Sequence, residues 1–164
     1  GHCIPKDPLY LYWKAKKFGF KSRFINLASD IINCMPEYVV ERIDDLLSKG
    51  GKDLTKASIL IMGVTYKKDI KDLRKSPPLD MIEILQKRNS AVSYYDPLIP
   101  YLKIGHISLK SIDLNSQSLK KFDCVVIATD HSKVDYKFVL KNSRLILDTR
   151  NVYKDITNRK ISRL

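Results

Sequence analysis

Ser58-Ile59-Leu60-Ile61-Met62-Gly63-Val64 sets the fold class of this chain. Residues 59–62 are all large and apolar, which leaves no face for water, so the run reads as a strand buried on both sides. A glycine follows at once, as it does where a chain leaves a strand through a sharp turn. Cys124-Val125-Val126-Ile127-Ala128 repeats the pattern downstream. Strands that are apolar on both faces belong to parallel sheets covered by helices.

The segments around these two strands alternate in type. Pro77 to Arg88 is an amphipathic helix with proline near its start, and Ala91 to Tyr95 is a second strand stopped by Asp96-Pro97. A short third strand is expected in Gly105 to Lys110, a short helix in Ser116 to Lys121 and another in Tyr136 to Leu140. Leu145-Ile146-Leu147 reads as the last strand. The pattern predicts an α/β fold: a Rossmann-like, mostly parallel sheet with helices on both faces. A helical connector precedes it, because from Pro8 to about Lys49 the apolar residues recur at helical spacing. Pro36 predicts a kink or a fresh helix start inside that stretch, and Gly50-Gly51 ends it. Cys34 on the helical stripe and Cys124 in its strand both read as core thiols. The expected division is a connector over 1–50 and an α/β domain over 51–164.

Composition narrows the function. The formal charge of +12 comes mostly from lysine scattered along all 164 residues. No arginine-rich stripe or basic run interleaved with aromatics accompanies it, so a nucleic-acid partner is not expected. A smaller part of the charge suits an anionic ligand. No apolar run approaches the roughly 20 residues that span a bilayer, so no membrane partner is expected either. The three cysteines form no CxxC pair, which favours a reducing, cytoplasmic setting.

In open α/β sheets ligands bind beyond the carboxyl ends of the strands. After the first strand come Tyr66, Lys67, Lys68, Asp69, Asp72 and Arg74; after the second, Asp96; after Cys124–Ala128, Thr129, Asp130 and His131; after the last, Asp148, Thr149, Arg150 and Asn151. Lys67, Arg74 and Arg150 are expected to gather at one edge, where cations suit a phosphate or nucleotide. Each has an ordinary alternative. Lys67 and Lys68 fit a solvated loop, Arg74 fits a pair with an aspartate beside a helix capped by Ser76, and Arg150 fits a salt bridge to Asp148 or Asp130. His131 fits a loop histidine. Met62-Gly63-Val64 lacks the G-x-G-x-x-G fingerprint, so a dinucleotide-binding Rossmann domain is expected outside this chain.

Gly1-His2-Cys3-Ile4-Pro5-Lys6-Asp7-Pro8 opens the chain. A thiol beside a histidine, a lysine and a carboxylate is a candidate nucleophile, with a structural thiol as the alternative. His2, Cys3 and Asp7 are too few and too poorly spaced for zinc, and no metal site is expected.

These segments together resemble the UDP-glucose/GDP-mannose dehydrogenase family, the NAD-dependent nucleotide-sugar 6-dehydrogenases. The resemblance rests on the octapeptide and on Asn33-Cys34-Met35-Pro36-Glu37-Tyr38-Val39-Val40. It continues in Gly63-Val64-Thr65-Tyr66-Lys67-Lys68-Asp69 with Asp72-Leu73-Arg74-Lys75-Ser76-Pro77, then Ala128-Thr129-Asp130-His131 and Asp148-Thr149-Arg150-Asn151. It implies the C-terminal half of such an enzyme, which oxidises the C6 alcohol of a nucleotide sugar to a carboxylate with two NAD⁺ per turnover. By the resemblance Cys3 captures the C6 aldehyde as a thiohemiacetal that is oxidised to a thioester, and Asp7 positions or activates the hydrolytic water. Lys6 lies near the cofactor, Arg74 meets the NAD phosphates, Lys67 holds the nucleotide sugar and Arg150 supports the same ligand.

The resemblance further implies a UDP-sugar, most like UDP-N-acetylglucosamine, with UDP-glucose as an alternative because of the Lys6-Asp7 pair. The implied partners are the NAD-binding N-terminal half and a second subunit, in a homodimer or larger assembly through the Phe24 to Lys49 helices. The family's glycine fingerprint and its upstream active-site lysine and asparagine are not in this sequence, so the chain alone is expected to be inactive. A noncatalytic UDP-binding or oligomerisation module from a truncated reading frame is the competing expectation.

Overall fold

The computed structural model describes the backbone of residues 3–164 and the side chains of residues 6–164. The buried runs form strands as their composition predicts. β1 (Ser58–Met62), β2 (Ala91–Tyr95), β5 (Cys124–Ile127), β6 (Ile146–Asp148) and β7 (Ile161–Arg163) make one sheet in the order β2-β1-β5-β6-β7, with every pairing parallel. Successive side chains of a strand point to opposite faces. Accordingly Ile59 and Ile61 pack with Val40, Ile43, Ile82 and Leu85 of α2 (Arg23–Lys49) and α3 (Pro77–Lys87), on one side. Leu60 and Met62 pack with Leu119 of α4 (Ser116–Leu119) and Val139 of α5 (Tyr136–Asn142) on the other.

Two strand expectations are corrected. The third run becomes an antiparallel hairpin of β3 (Tyr101–Ile104) and β4 (Ile107–Lys110), outside the main sheet. The residues after it cover the outer edge of β2, where Ile112 N–H donates to Tyr94 O at 3.0 Å, so the edge does not stand open. Nor is β6 the last strand. β7 adds to its far side, tied by Ile146 N–H to Lys160 O at 2.7 Å and by contacts from Arg163 to the carbonyls of Tyr153 and Ile156.

Of the kink or fresh helix start expected at Pro36, the fresh start does not occur. α1 (Cys3–Lys16) packs on α2, and α2 runs as one 27-residue helix through Pro36 with no fresh start. Proline there removes one backbone donor, but the turns that follow bury Val39, Val40, Ile43 and Leu47 against the sheet domain, and Glu37 pairs with Arg88 of the α3 C-cap. The first half of α2 has no buried residue, and Phe24, Leu27 and Ile31 stand exposed, Phe24 to 80%. Cys34 is exposed with them, not in the core, because the apolar stripe continues past the surface that the domain offers. Cys124 is buried in β5, and burial pushes its thiol up to about 12, which leaves it inert.

β1 lies between β2 and β5, so the chain winds away from it in both directions and a crevice opens beyond its carboxyl end. Gly63 makes that crevice possible. Its φ is +82°, and a Cβ there would lie 2.3 Å from the Thr129 carbonyl oxygen. Gly63→Ala is therefore expected to destabilise the chain by about 3 kcal/mol in urea unfolding. Gly51→Ala, with φ +73° but open space around it, is expected to cost only about 1 kcal/mol. Equal losses would mean that the β1 and β5 loops yield freely to each other.

Candidate functional site

The crevice is organised by a carboxylate. Asp96, at the end of β2, is almost wholly shut off from water and must collect donors to remain charged. Val64 N–H donates to its Oδ2 at 2.7 Å, Leu98 N–H to its Oδ1 at 2.8 Å, and His131 Nε2 lies 3.1 Å from Oδ2. Burial pushes this carboxyl up, but the hydrogen bonds from His131, Val64 and Leu98 together outweigh it and hold it below the usual carboxylate range. His131 is 1% exposed and so is no solvated loop histidine.

The turn after β1 is fixed at many points. Thr65 O accepts from Thr129 Oγ1 at 2.6 Å, Val64 O accepts from Ser76 Oγ at 2.7 Å, and Tyr66 N–H donates to Asp72 O at 3.0 Å. Ser76 thus stands at the N-cap of α3 but spends its hydroxyl on the turn, not on the helix. Asp69 adopts φ +59°, a left-handed conformation that a non-glycine residue holds only when its neighbours constrain it. Its N–H donates to His131 Nδ1 at 3.1 Å, and its carboxylate accepts from Ser132 N–H at 2.8 Å and Ser132 Oγ at 2.6 Å. Those two bonds hold its carboxyl below the usual range.

The cations predicted to gather at one edge do so in two places. Arg150 follows β6; its Nε lies 3.2 Å from Asp130 Oδ1, and its own N–H donates to Asp148 Oδ1 at 3.0 Å. Asp130 also receives Lys68 at 3.7 Å. Arg150, Tyr66, Thr129, Thr149 and Pro36 line a cavity of about 200 Å³ at the switch point. Lys67 sits exposed on the same turn, its carbonyl accepting from Thr65 Oγ1 at 3.0 Å. Arg74 lines a different cavity, of about 470 Å³, between the start of α3 and the β3–β4 turn. The start of α3 separates the two, which corrects the expectation of a single cationic edge. Arg74 is clamped by Asp72, Nε to Oδ1 at 3.0 Å and Nη2 to Oδ2 at 2.6 Å.

The Cys3 side chain lies outside the described residues. Lys6 and Asp7 are exposed on α1, where Lys6 shares an apolar recess with Leu9, Tyr10 and Trp13. Among the described residues no group of side chains could hold a metal ion.

Asp96→Asn gives the network a test with a definite sign. A carboxyl held low in the folded state stabilises above its unfolded value, near 3.9, and that contribution is lost as pH falls through the folded value. The variant is expected to be about 2 kcal/mol less stable than wild type at pH 7, and the gap should close below about pH 4. A gap independent of pH would remove the charge from the explanation.

Residues 60–155 match the UDP binding domain of the UDP-glucose/GDP-mannose dehydrogenase family. The UDP-N-acetyl-D-mannosamine dehydrogenase of Pyrococcus horikoshii is 34% identical over 161 residues, which is 94% of this chain and 35% of that protein. The UDP-N-acetyl-D-glucosamine 6-dehydrogenase of Pseudomonas aeruginosa is 29% identical over 133 residues, 81% of this chain and 31% of that protein. The solved structure of the Pyrococcus horikoshii UDP-D-ManNAc dehydrogenase superposes with a TM-score of 0.80 at 28% identity, covering 99% of this chain and 38% of that one. The chain thus spans about a third of the length of these relatives, corresponding to their C-terminal part. No helix among the described residues is long and apolar enough to cross a membrane. With more than half of its residues matched to that domain, the chain belongs to the UDP-glucose/GDP-mannose dehydrogenase family.

Proposed function

We propose that this chain is the nucleotide-sugar-binding part of an NAD-dependent UDP-sugar 6-dehydrogenase acting on a UDP-N-acetylhexosamine. The observation that carries the reading is the crevice itself: Arg150, held by Asp130, and Tyr66 line one cavity beyond β1, with Lys67 beside Tyr66 on the same turn. A planar guanidinium suits a diphosphate oxygen pair, and the tyrosine ring offers a surface for a base. The substrate class rests on the names of the relatives, among which mannosamine and glucosamine forms both occur.

In this reading residues 1–50 are the end of a catalytic loop and a helical connector, and 51–164 are the UDP-binding domain. Cys3 supplies the nucleophile. Its thiolate would add to the C6 aldehyde left once the C6 alcohol has given up a first hydride and a proton; the thiohemiacetal would give up a second hydride and its hydroxyl proton to become a thioester, and water, positioned by Asp7, would release the carboxylate and return the thiol. The cofactor, NAD, supplies the hydride acceptor when bound. No glycine-rich phosphate loop follows β1, and the residues assigned to the cofactor in this reading are the cations Lys6 and Arg74. Arg74 fits a phosphate contact, since Asp72 fixes the plane of its guanidinium at the rim of a cavity. The exposed apolar residues of α1 and the first half of α2, among them Trp13, Phe24 and Leu27, support a surface that the N-terminal half or a second subunit covers. A cytoplasmic setting accords with this chemistry.

Calorimetry should show that the chain binds UDP. Lys67→Ala and Arg150→Ala should each weaken binding about tenfold, the scale of one charge-assisted hydrogen bond, while Lys141→Ala should not. Unchanged affinity in both would place the nucleotide elsewhere. No NADH should form from UDP-sugar and NAD⁺ with this chain alone; turnover would contradict the division of labour proposed here.

A further inference from the structure

Four consecutive residues after β5 each hold a different part of the crevice. Thr129 packs against Gly63 and bonds to Thr65 O; Asp130 pairs with Arg150 and Lys68; Ser132 grips the Asp69 carboxylate. His131, buried among them, makes three contacts on two segments: Asp69 N–H at 3.1 Å and Thr65 Oγ1 at 3.2 Å on the turn after β1, and Asp96 Oδ2 at 3.1 Å after β2. A backbone N–H can only donate, so Nδ1 accepts from Asp69 and carries no proton. The Thr65 hydroxyl proton is directed to Lys67 O at 3.0 Å, so Thr65 Oγ1 accepts too. The ring proton therefore sits on Nε2, facing Asp96. The acidic groups around the ring are Asp96 at Nε2 and the Asp69 carboxylate, 3.7 Å from Nδ1.

We propose that His131 is the positioning residue of the nucleotide crevice: a neutral imidazole, protonated on Nε2, that joins the turn carrying Tyr66 and Lys67 to the end of β2. Its neighbour Asp130 orients Arg150 from the same loop, so one short segment sets both cations. The functional half of this inference rests on the UDP reading above; the hydrogen-bond half does not. The ring acts through Asp69 and Thr65 and does not itself contact the nucleotide.

Two conservative variants separate positioning from simple stability. In His131→Asn the amide oxygen falls near the position of Nδ1 and keeps an acceptor for Asp69 N–H. In His131→Gln the amide nitrogen keeps a donor for Asp96 but leaves no acceptor at Nδ1. Both should lower the melting temperature. In hydrogen exchange of the full chain, amides 66–69 should exchange about tenfold faster in the Gln variant than in wild type, and stay within about threefold of it in the Asn variant, after correction for global stability. UDP affinity should follow the same order, Asn near wild type and Gln weakened. Nitrogen NMR of the wild-type ring should show a protonated Nε2 and a bare Nδ1 and needs no variant to fold. A proton on Nδ1, or exchange at 66–69 that merely tracks global stability in both variants, would overturn the proposal. If wild type fails to bind UDP while the exchange pattern holds, the nucleotide reading fails and the imidazole clamp stands.

Discussion

A carboxylate that cannot reach water dictates how the crevice is built. Asp96 draws its donors from the turn after β1, from its own loop and from the loop after β5. The ends of three neighbouring strands are thereby fastened to one charge, in an interior where an unpaired acceptor would cost several kcal/mol. The fastening makes the loops rigid where loops are ordinarily mobile, and rigid loops are what place side chains against a ligand to within hydrogen-bond tolerance. Gly63 is the steric counterpart of this constraint. With no side chain to accommodate, the β1 turn comes close enough to Thr129 for the donors to reach.

Charge near the crevice is local and paired, although the chain as a whole is strongly basic. Asp130 holds Arg150 and Lys68, Asp72 holds Arg74, and Ser132 holds the exposed Asp69 carboxylate. Such pairing fixes where guanidinium groups point without removing their attraction for phosphate. The two arginines face different cavities on either side of the start of α3. The apolar excess lies elsewhere, on α1 and the first half of α2, away from the polar crevice.

What was legible in the sequence follows from how local each signal is. The runs at 59–62 and 124–127 declare buried strands without help from any other segment, and they carry the parallel sheet with them. β7 was not legible, because Ile161–Arg163 is three residues long with an arginine in it, and it forms only because β6 offers an edge. Half of the β3–β4 hairpin was missed for a similar reason: Tyr101-Leu102-Lys103-Ile104 alternates in polarity and gains its identity from pairing. The helical stripe misled at Cys34, since periodicity reports a face but not whether anything covers it. For Arg150 the ordinary alternative, a salt bridge to Asp148 or Asp130, is what the structure shows, with Asp130 as the partner. The role of His131 could not be read, because its contacts lie 35 to 66 residues away along the chain.

Titration of UDP into the ¹⁵N-labelled chain, followed by amide shifts, tests most directly whether the nucleotide occupies the crevice beyond β1. Shifts concentrated on residues 64–69, 129–131 and 149–151 are predicted, with the β3–β4 turn at 104–107 unmoved. Shifts concentrated at 104–107 and along the outer face of α3, or none at saturating UDP, would contradict it.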